Sequence, residues 1–369
     1  MRKFISTVLI IIFISVPINA ADIEVSAEHA ILIEASSGGI IYEKNAHDRS
    51  LIASTTKIMT ALIAVENCDI TKIVTVSEKA VGVEGSSVYL TKHEKLSMED
   101  LLYAVMLESA NDAAAAIAID VAGSIDEFAA MMNEKAQSLG LADTNFTNPH
   151  GLDDNNHYST AYDMAVLTRY AMQNAAFKTI VSTHRRTIPL NGGNGSRVLV
   201  NHNKMINMYD GAVGVKTGFT KKSGRCLVSA AERDGVMLIA VTLDAPDDWN
   251  DHKRMFDTGF SMYEKILLTY AEEKTYVIPV LNGDTQFIKC KNLFDVYAVV
   301  KKGEISISSV VEMKRFYYAP ISKGDELGRV IYYNNGIEIG TAPIIADYEI
   351  EKINYKFNIW DWITGLWKK

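Results

Sequence analysis

Cysteine is scarce in this chain, with three residues, Cys68, Cys226 and Cys290, among 369. The number is odd and too small for a disulfide framework, and no Cys-x-x-Cys pair supports a zinc site or a dithiol redox site. No His-Glu-x-x-His sequence occurs either, which excludes a zincin metalloprotease. We therefore predict neither a metal ion nor another cofactor.

The chain also lacks any block of like charge. Lys and Arg number 37 against 45 Asp and Glu, a net charge of −8, and this balance argues against nucleic-acid binding. With 48% hydrophobic and 22% charged residues, the composition is that of a globular protein and excludes disordered, fibrous and polytopic membrane proteins. The length supports two domains, or one large domain with an appendage.

The N-terminus has the pattern of a secretory signal peptide. Arg2 and Lys3 precede a mostly apolar stretch, 4–18, and the small residue Ala20 offers a cleavage site. A retained membrane anchor is the alternative, but the apolar run is short for a bilayer span. We therefore predict a signal peptide at 1–20 and a mature chain that works outside the cytoplasm.

Mixed α/β patterns run from about residue 24 to 260. Two apolar runs, 30–34 and 40–42, flank a Ser-Ser-Gly-Gly turn and predict a β-hairpin. The sequence Ser97-Met98-Glu99-Asp100 is a capping box that predicts the start of a helix. The stretch 225–243 predicts two paired strands.

The region from 275 to 347 is different, because it contains short β-rich runs without helical periodicity. Asn282-Gly283 and Asn335-Gly336 are typical of hairpin turns. We predict a small all-β domain at 272–348, with its boundary in the charged stretch 272–274.

The last segment, 349–369, predicts an amphipathic helix. On a helical wheel Phe357, Trp360, Ile363 and Trp367 share one side, whereas Asp361 interrupts the apolar character that a bilayer span requires. We predict that this helix lies in the membrane surface. The alternative is a terminal helix that packs its tryptophans on the β domain.

Three short motifs carry the chemistry. In Ser54-Thr55-Thr56-Lys57, residues i and i+3 share a helix face, so a lysine with a lowered pKa could serve as base for a serine nucleophile. Alone, this motif is weak evidence, and its alternative is an N-cap serine with an exposed lysine. Ser109-Ala110-Asn111 and Lys216-Thr217-Gly218 follow in order, and this ordered set is typical of class A β-lactamases and penicillin-binding proteins.

With these motifs, the chain resembles a low-molecular-weight penicillin-binding protein, a serine-type D-alanyl-D-alanine carboxypeptidase. The segments 85–90, 148–152, 159–165 and 211–214 are similar to family segments, so the likeness covers essentially the whole mature chain. The resemblance implies an α/β (α+β) β-lactamase/transpeptidase-like domain at 21–265, with an antiparallel sheet flanked by helices. It also implies the small all-β C-terminal domain and the membrane anchor.

The resemblance implies a role for each motif residue. Ser54 would be the nucleophile, Lys57 its base and Ser109 a proton relay, with the backbone amides of Ser54 and Phe219 as oxyanion donors. The implied substrate-binding residues are Asn111, His150, Lys216, Thr217, Gly218 and Phe219. The implied partners are peptidoglycan stem peptides and β-lactam antibiotics, the latter acylating Ser54.

Other functions fit the sequence less well. A class A β-lactamase would need a deacylating Glu-x-x-Leu-Asn segment, which does not occur between the second and third motifs, and an α/β-hydrolase would need Gly-x-Ser-x-Gly. A non-catalytic cell-wall-binding protein would not need the intact motif residues. One departure from some relatives is the segment 247–252, which lacks an arginine, and another is His202 in place of an arginine; both affect recognition of the substrate carboxylate. For His150 and His202, a purely structural role in orienting a loop is equally open.

Overall fold

The computed structural model describes residues 23–190 and 195–353. In these residues the chain forms eight α-helices: α1 (Lys57–Asn67), α2 (Met98–Leu107), α3 (Asn111–Ala122), α4 (Ile125–Ser138), α5 (Ala161–Ala171), α6 (Ala175–Val181), α7 (Met205–Met208) and α8 (Asp248–Met262). The predicted start of a helix at Ser97 is confirmed, because the Ser97 hydroxyl accepts the Asp100 N–H at 3.0 Å where α2 begins.

The same residues form seventeen strands. Those before α8 are β1 (His29–Glu34), β2 (Ile40–Lys44), β3 (Ile73–Thr75), β4 (Lys95–Ser97), β5 (Arg185–Pro189), β6 (Ser196–Val200), β7 (Ala212–Thr220), β8 (Gly224–Arg233) and β9 (Val236–Leu243). Those after α8 are β10 (Tyr263–Thr269), β11 (Thr275–Leu281), β12 (Phe287–Lys291), β13 (Val296–Lys301), β14 (Ile307–Met313), β15 (Tyr317–Tyr318), β16 (Glu326–Asn334) and β17 (Ile337–Ala346).

A five-stranded antiparallel sheet organises the first part of the chain, in the order β2-β1-β9-β8-β7. The predicted β1–β2 hairpin and β8–β9 pair are therefore confirmed. In the first hairpin the Glu34 carboxylate accepts the N–H groups of Ser36 and Ser37, each at 2.8 Å, which fixes the turn. β7, which carries the third motif, is an edge strand, so one of its sides has no strand partner within the part of the chain that the structure describes.

Alternating side chains of this sheet enter two hydrophobic cores. Ile31 and Ile33 of β1 face one core together with the helices α1 to α6, whereas Leu32 faces a second core that includes Phe256 of α8. The sheet is thus covered by helices on both faces, and the predicted fold class is confirmed.

The β-rich part follows α8 directly. Its six-stranded sheet has the order β14-β16-β17-β12-β11-β15, and a separate pair joins β10 to β13. Since β10 pairs with β13, this part already begins at Tyr263, ahead of the boundary predicted at 272. The predicted turn Asn335-Gly336 joins β16 to β17, with φ angles of +51° and +81° that suit Asn and Gly.

The start of the predicted C-terminal helix is extended instead. Ile350 pairs with Ile321 and Lys352 with Gly283 in isolated β-bridges, and Ile350 is buried in the core of the β-rich part. The prediction of a helix from residue 349 is therefore wrong for 349–353, because Ile350 belongs to this core. The rest of that helix, 354–369, and the predicted signal peptide, 1–20, lie outside the described residues. No helix within 23–190 and 195–353 is long and apolar enough to cross a membrane.

Candidate active site

The first motif lies where a 3-10 turn passes into α1. Ser54 is in the turn, Ala53–Thr56, and Lys57 is the first residue of α1. This geometry brings Lys57 Nζ to 2.9 Å from Ser54 Oγ. The alternative of an exposed lysine beside a capping serine is excluded, because Lys57 is fully buried and the N-cap position of α1 is Thr56.

Lys57 is held by two further acceptors. Its Nζ donates to Asn111 Oδ1 and to the backbone oxygen of His150, each at 2.6 Å. Burial lowers the pKa of Lys57 well below its usual value, and the nearby Lys216 ammonium lowers it further, against an opposing effect of Asp112. Both effects favour the neutral amine, which is the form that can accept a proton.

The second motif occupies the connection between α2 and α3. Ser109 has φ +61°, an uncommon value for a residue with a side chain, and Asn111 opens α3 after the N-cap residue Ala110. The Asn111 amide is fixed on its other side too, because Nδ2 donates to the Glu84 oxygen at 2.5 Å. Asp112 holds the neighbouring loop by accepting the Leu90 N–H at 2.9 Å.

The third motif lies on β7, against the turn that carries the nucleophile. A Cβ added at Gly218 would lie 3.0 Å from the Ser54 nitrogen, so glycine permits the close approach of the two backbones. Lys216 is buried, and burial lowers its pKa to about 7 although Glu108 opposes this effect. Its Nζ donates to the Thr217 oxygen at 3.0 Å.

These elements enclose a cleft of about 310 Å³. Its walls are formed by Ser54, Ser86, Ser109, His202, Thr217, Gly218, Phe219, Arg225, Cys226, Asp248 and Trp249. Five of the nine predicted site residues therefore line one cleft. Lys57 and Asn111 lie directly behind Ser54, to which Lys57 is hydrogen-bonded.

His150 lies apart from the cleft wall. Its backbone oxygen binds Lys57, whereas its ring Nδ1 accepts the Leu152 N–H at 3.3 Å. Burial and the charge of Lys57 lower the pKa of His150 to about 3, which keeps the ring neutral. The ring therefore contacts its own loop, and among the described residues His150 is not one of those that line the cleft.

Sequence reasoning missed one wall of the cleft. Arg225 on β8 donates through Nη2 to both Asp248 oxygens, at 2.7 and 3.0 Å, and its guanidinium lies 5.6 Å from the Trp249 ring centre. The segment 247–252 lacks an arginine of its own, but Arg225 of β8 is hydrogen-bonded to it. Arg225 lies opposite Phe219 in the β7–β8 register, a pairing that only the folded structure reveals.

His202 lines the cleft and is paired with an acid. Its Nε2 lies 3.1 Å from Glu108 Oε2, while Glu108 Oε1 accepts the Val200 N–H at 2.6 Å. Glu108 thus joins the end of α2 to β6. Within 23–190 and 195–353, no group of three or more His, Cys, Asp or Glu side chains is arranged to hold a metal ion.

Two family profiles match the chain and together span most of it. Residues 16–247 match the D-alanyl-D-alanine carboxypeptidase family, and residues 263–352 match the C-terminal domain of penicillin-binding protein 5. The first match covers more than half of the chain. It contains all three motifs.

Individual relatives agree with these profiles. The D-alanyl-D-alanine carboxypeptidase DacF of Bacillus subtilis is 34% identical over 350 residues, which cover 91% of this chain and 90% of DacF. The structure of penicillin-binding protein 5 from Haemophilus influenzae is similar with a TM-score of 0.66 at 28% identity, over 89% of this chain and 98% of that one. A peptidoglycan synthesis regulatory factor (PBP3) from Streptococcus pneumoniae gives 0.75 at 25% identity, over 89% and 100%.

The fold and the cleft define a serine enzyme of the penicillin-binding type, in which a lysine lies beside a serine at a helix start. The chain belongs to the D-alanyl-D-alanine carboxypeptidase family. The resemblance described from the motifs, and with it serine carboxypeptidase activity, is confirmed.

Proposed function

We propose that the protein removes the terminal D-alanine from peptidoglycan stem pentapeptides, with Ser54 as nucleophile and Lys57 as its base. The main support for this proposal is the set of hydrogen bonds that Lys57 makes. A neutral amine has two N–H groups and one lone pair, and Asn111 and His150 offer acceptors for both N–H groups. The lone pair is then left to accept the Ser54 proton across 2.9 Å.

The proposed reaction is an acyl transfer in which Ser54 and Lys57 act together. Ser54 Oγ attacks the carbonyl carbon of the penultimate residue, and its proton passes to Lys57. The resulting oxyanion is stabilised by the N–H groups of Ser54 and Phe219. The C–N bond then breaks, and the D-alanine amine leaves with a proton relayed through Ser109. Water hydrolyses the remaining ester and restores the Ser54 hydroxyl.

The third motif supports recognition of a free C-terminal carboxylate. Lys216 offers a cation in a sheltered position and Thr217 a hydroxyl on the cleft wall, and charge-assisted hydrogen bonds of this kind are strong where water is partly excluded. A β-lactam imitates the acyl-D-alanyl-D-alanine terminus. We therefore propose that penicillin acylates the same serine.

Incubation of the mature protein with a muropeptide pentapeptide tests this function. We expect release of one D-alanine per peptide without cleavage of any crosslink. Penicillin should give an adduct that persists. Rapid turnover of that adduct would instead indicate a β-lactamase, and the absence of both adduct and D-alanine would indicate a non-catalytic cell-wall protein.

We further propose that the protein is exported through the signal peptide 1–20 and held at the outer face of the membrane by its C-terminal segment. The support comes from the sequence, in which four large apolar residues between 357 and 367 share one helical face. Burial of each would contribute about 1.5–3 kcal/mol before the cost of ordering the helix. Lys368 and Lys369 would each add about 1 kcal/mol near an anionic surface.

A variant ending at Ile353 tests the anchor. This end point keeps Ile350 in its core and retains the hydrogen bond from Ile353 N to the Asn282 oxygen. We expect the truncated protein to stay active on small peptides and to lose flotation with anionic liposomes. The intact mature chain should float and resist moderate salt, because apolar burial dominates. Equal flotation of both proteins, or full release of the intact one by salt, would contradict the anchor.

A further inference from the structure

The residue before the nucleophile has an unusual backbone. Ala53 is buried and has φ +45°, in the left-handed region that residues with a Cβ rarely occupy. Such a conformation persists only where surrounding contacts enforce it. The contacts of the Ala53 carbonyl therefore decide how the peptide between Ala53 and Ser54 is oriented.

Two residues hold that carbonyl. The Thr56 hydroxyl donates to the Ala53 oxygen at 2.8 Å. Gly151 packs on the same oxygen so closely that a Cβ there would lie 1.9 Å from it. Gly151 also has φ +85°, so both space and backbone require glycine at this position. The carbonyl is thus held by two residues that are not among those lining the cleft in the described part of the chain.

His157 fixes the direction of the Thr56 hydrogen bond. The Thr147 N–H donates to His157 Nδ1 at 3.1 Å, so Nδ1 carries no proton and the neutral ring is protonated at Nε2. Nε2 then donates to Thr56 Oγ1 at 2.7 Å, which leaves the Thr56 proton for Ala53. The ring is buried, and Phe146 packs edge-on against it at 5.7 Å.

We propose that His157 and Thr56 are positioning residues that orient the Ala53–Ser54 peptide so that its N–H serves as an oxyanion donor. In a trans peptide the carbonyl and the N–H point in opposite directions. Hydrogen bonding of the carbonyl on the Thr56 side therefore turns the Ser54 N–H toward Gly218 and the cleft. The inference rests on the proposed function, because it supplies one of the two donors used there.

Substitution of Thr56 tests the inference through the rate of acylation. Thr56→Val removes the hydroxyl at nearly constant volume and should lower kcat and the rate of penicillin acylation about 10- to 100-fold, somewhat less than complete loss of an oxyanion donor. KM should change little, because the carboxylate contacts remain. Thr56→Ser keeps the hydroxyl and should recover most of the rate.

A second buried His–Thr pair provides the matched control. Thr242 Oγ1 lies 3.0 Å from His252 Nε2 within the core beneath α8. Thr242→Val should lower the thermal unfolding midpoint as Thr56→Val does, yet leave the acylation rate unchanged. A rate loss of similar size in both variants would mean that the Thr56 effect is only structural, and would overturn the proposal.

His157 gives an independent measurement if Thr56→Val folds poorly. His157→Gln can still place an amide N–H near Thr56 and should lose less rate than His157→Ala. The double variant with Thr56→Val should be no slower than the slower single variant, because both substitutions break one chain of hydrogen bonds. Additive rate losses in the double variant, or a wild-type acylation rate in Thr56→Val, would overturn this inference. The proposed function would still stand in that case, provided that penicillin labels Ser54 of the wild type. Absence of that labelling would overturn the proposed function itself.

Discussion

Ser54→Ala is expected to abolish both D-alanine release and covalent labelling by penicillin. Both reactions need the Ser54 oxygen to form an ester, and no other group can replace that bond. The fold should be kept, because Lys57 retains its two acceptors, Asn111 and His150. The measurements are released D-alanine, labelled protein detected by mass spectrometry, and the thermal unfolding midpoint.

Ser109→Ala is the matched comparison for this result. Ser109 lines the same cleft and belongs to the second motif, but its proposed role is proton relay and not attack. We expect this variant to be labelled at Ser54, although more slowly than the wild type. Labelling that survives Ser54→Ala, or an adduct that maps to Ser109, would contradict the assignment of the nucleophile.

Local signals in the sequence predict the parts of the site that depend on neighbours along the chain. A serine and a lysine three positions apart meet because a helical turn brings them together. The N-cap residue Ser97 sets the start of α2, and Ser109 lies in the cleft just beyond the end of this helix. These elements require no knowledge of distant contacts, so their prediction from the sequence succeeds.

Contacts between distant segments could not be predicted in this way. Thr56 and His157 are 101 positions apart, and neither belongs to a pattern that marks a hydrogen-bonded pair. Arg225 reaches Asp248 only because β8 lies beside α8 in the fold. The same limit explains why the prediction of a helix is wrong for residues 349–353. The predicted helix begins at 349, but Ile350 packs in the core of the β-rich part, and the local sequence gives no sign of that contact.

Lys216 is buried and its pKa lies near neutrality. These two properties predict that kcat/KM depends on pH. Only protonated Lys216 can pair with a substrate carboxylate, and its pKa of about 7 means that kcat/KM should fall as the pH rises above that value. Lys57 must instead be neutral to act as base, so kcat/KM should also fall as the pH drops through its lowered pKa. The profile should therefore be bell-shaped.

Lys216→Ala should lower kcat/KM for peptides with a free C-terminal carboxylate by about 100-fold, because loss of one partner of a sheltered charge pair costs about 2–5 kcal/mol. Lys216→Arg should recover only part of the rate, since a planar guanidinium replaces a compact ammonium. It should, however, remove the decline above pH 7, because a guanidinium remains protonated there.

Peptides that carry a C-terminal amide provide the control for this assignment. They lack the charge that Lys216 is proposed to bind, so the wild type should cleave them poorly, and Lys216→Ala should lower that remaining rate much less than it lowers the rate on free peptides. Equal cleavage of amidated and free peptides by the wild type would show that Lys216 does not recognise the carboxylate. Its burial beside Lys57 would then serve mainly to lower the pKa of that base, and the alkaline limb of the profile should persist in Lys216→Arg.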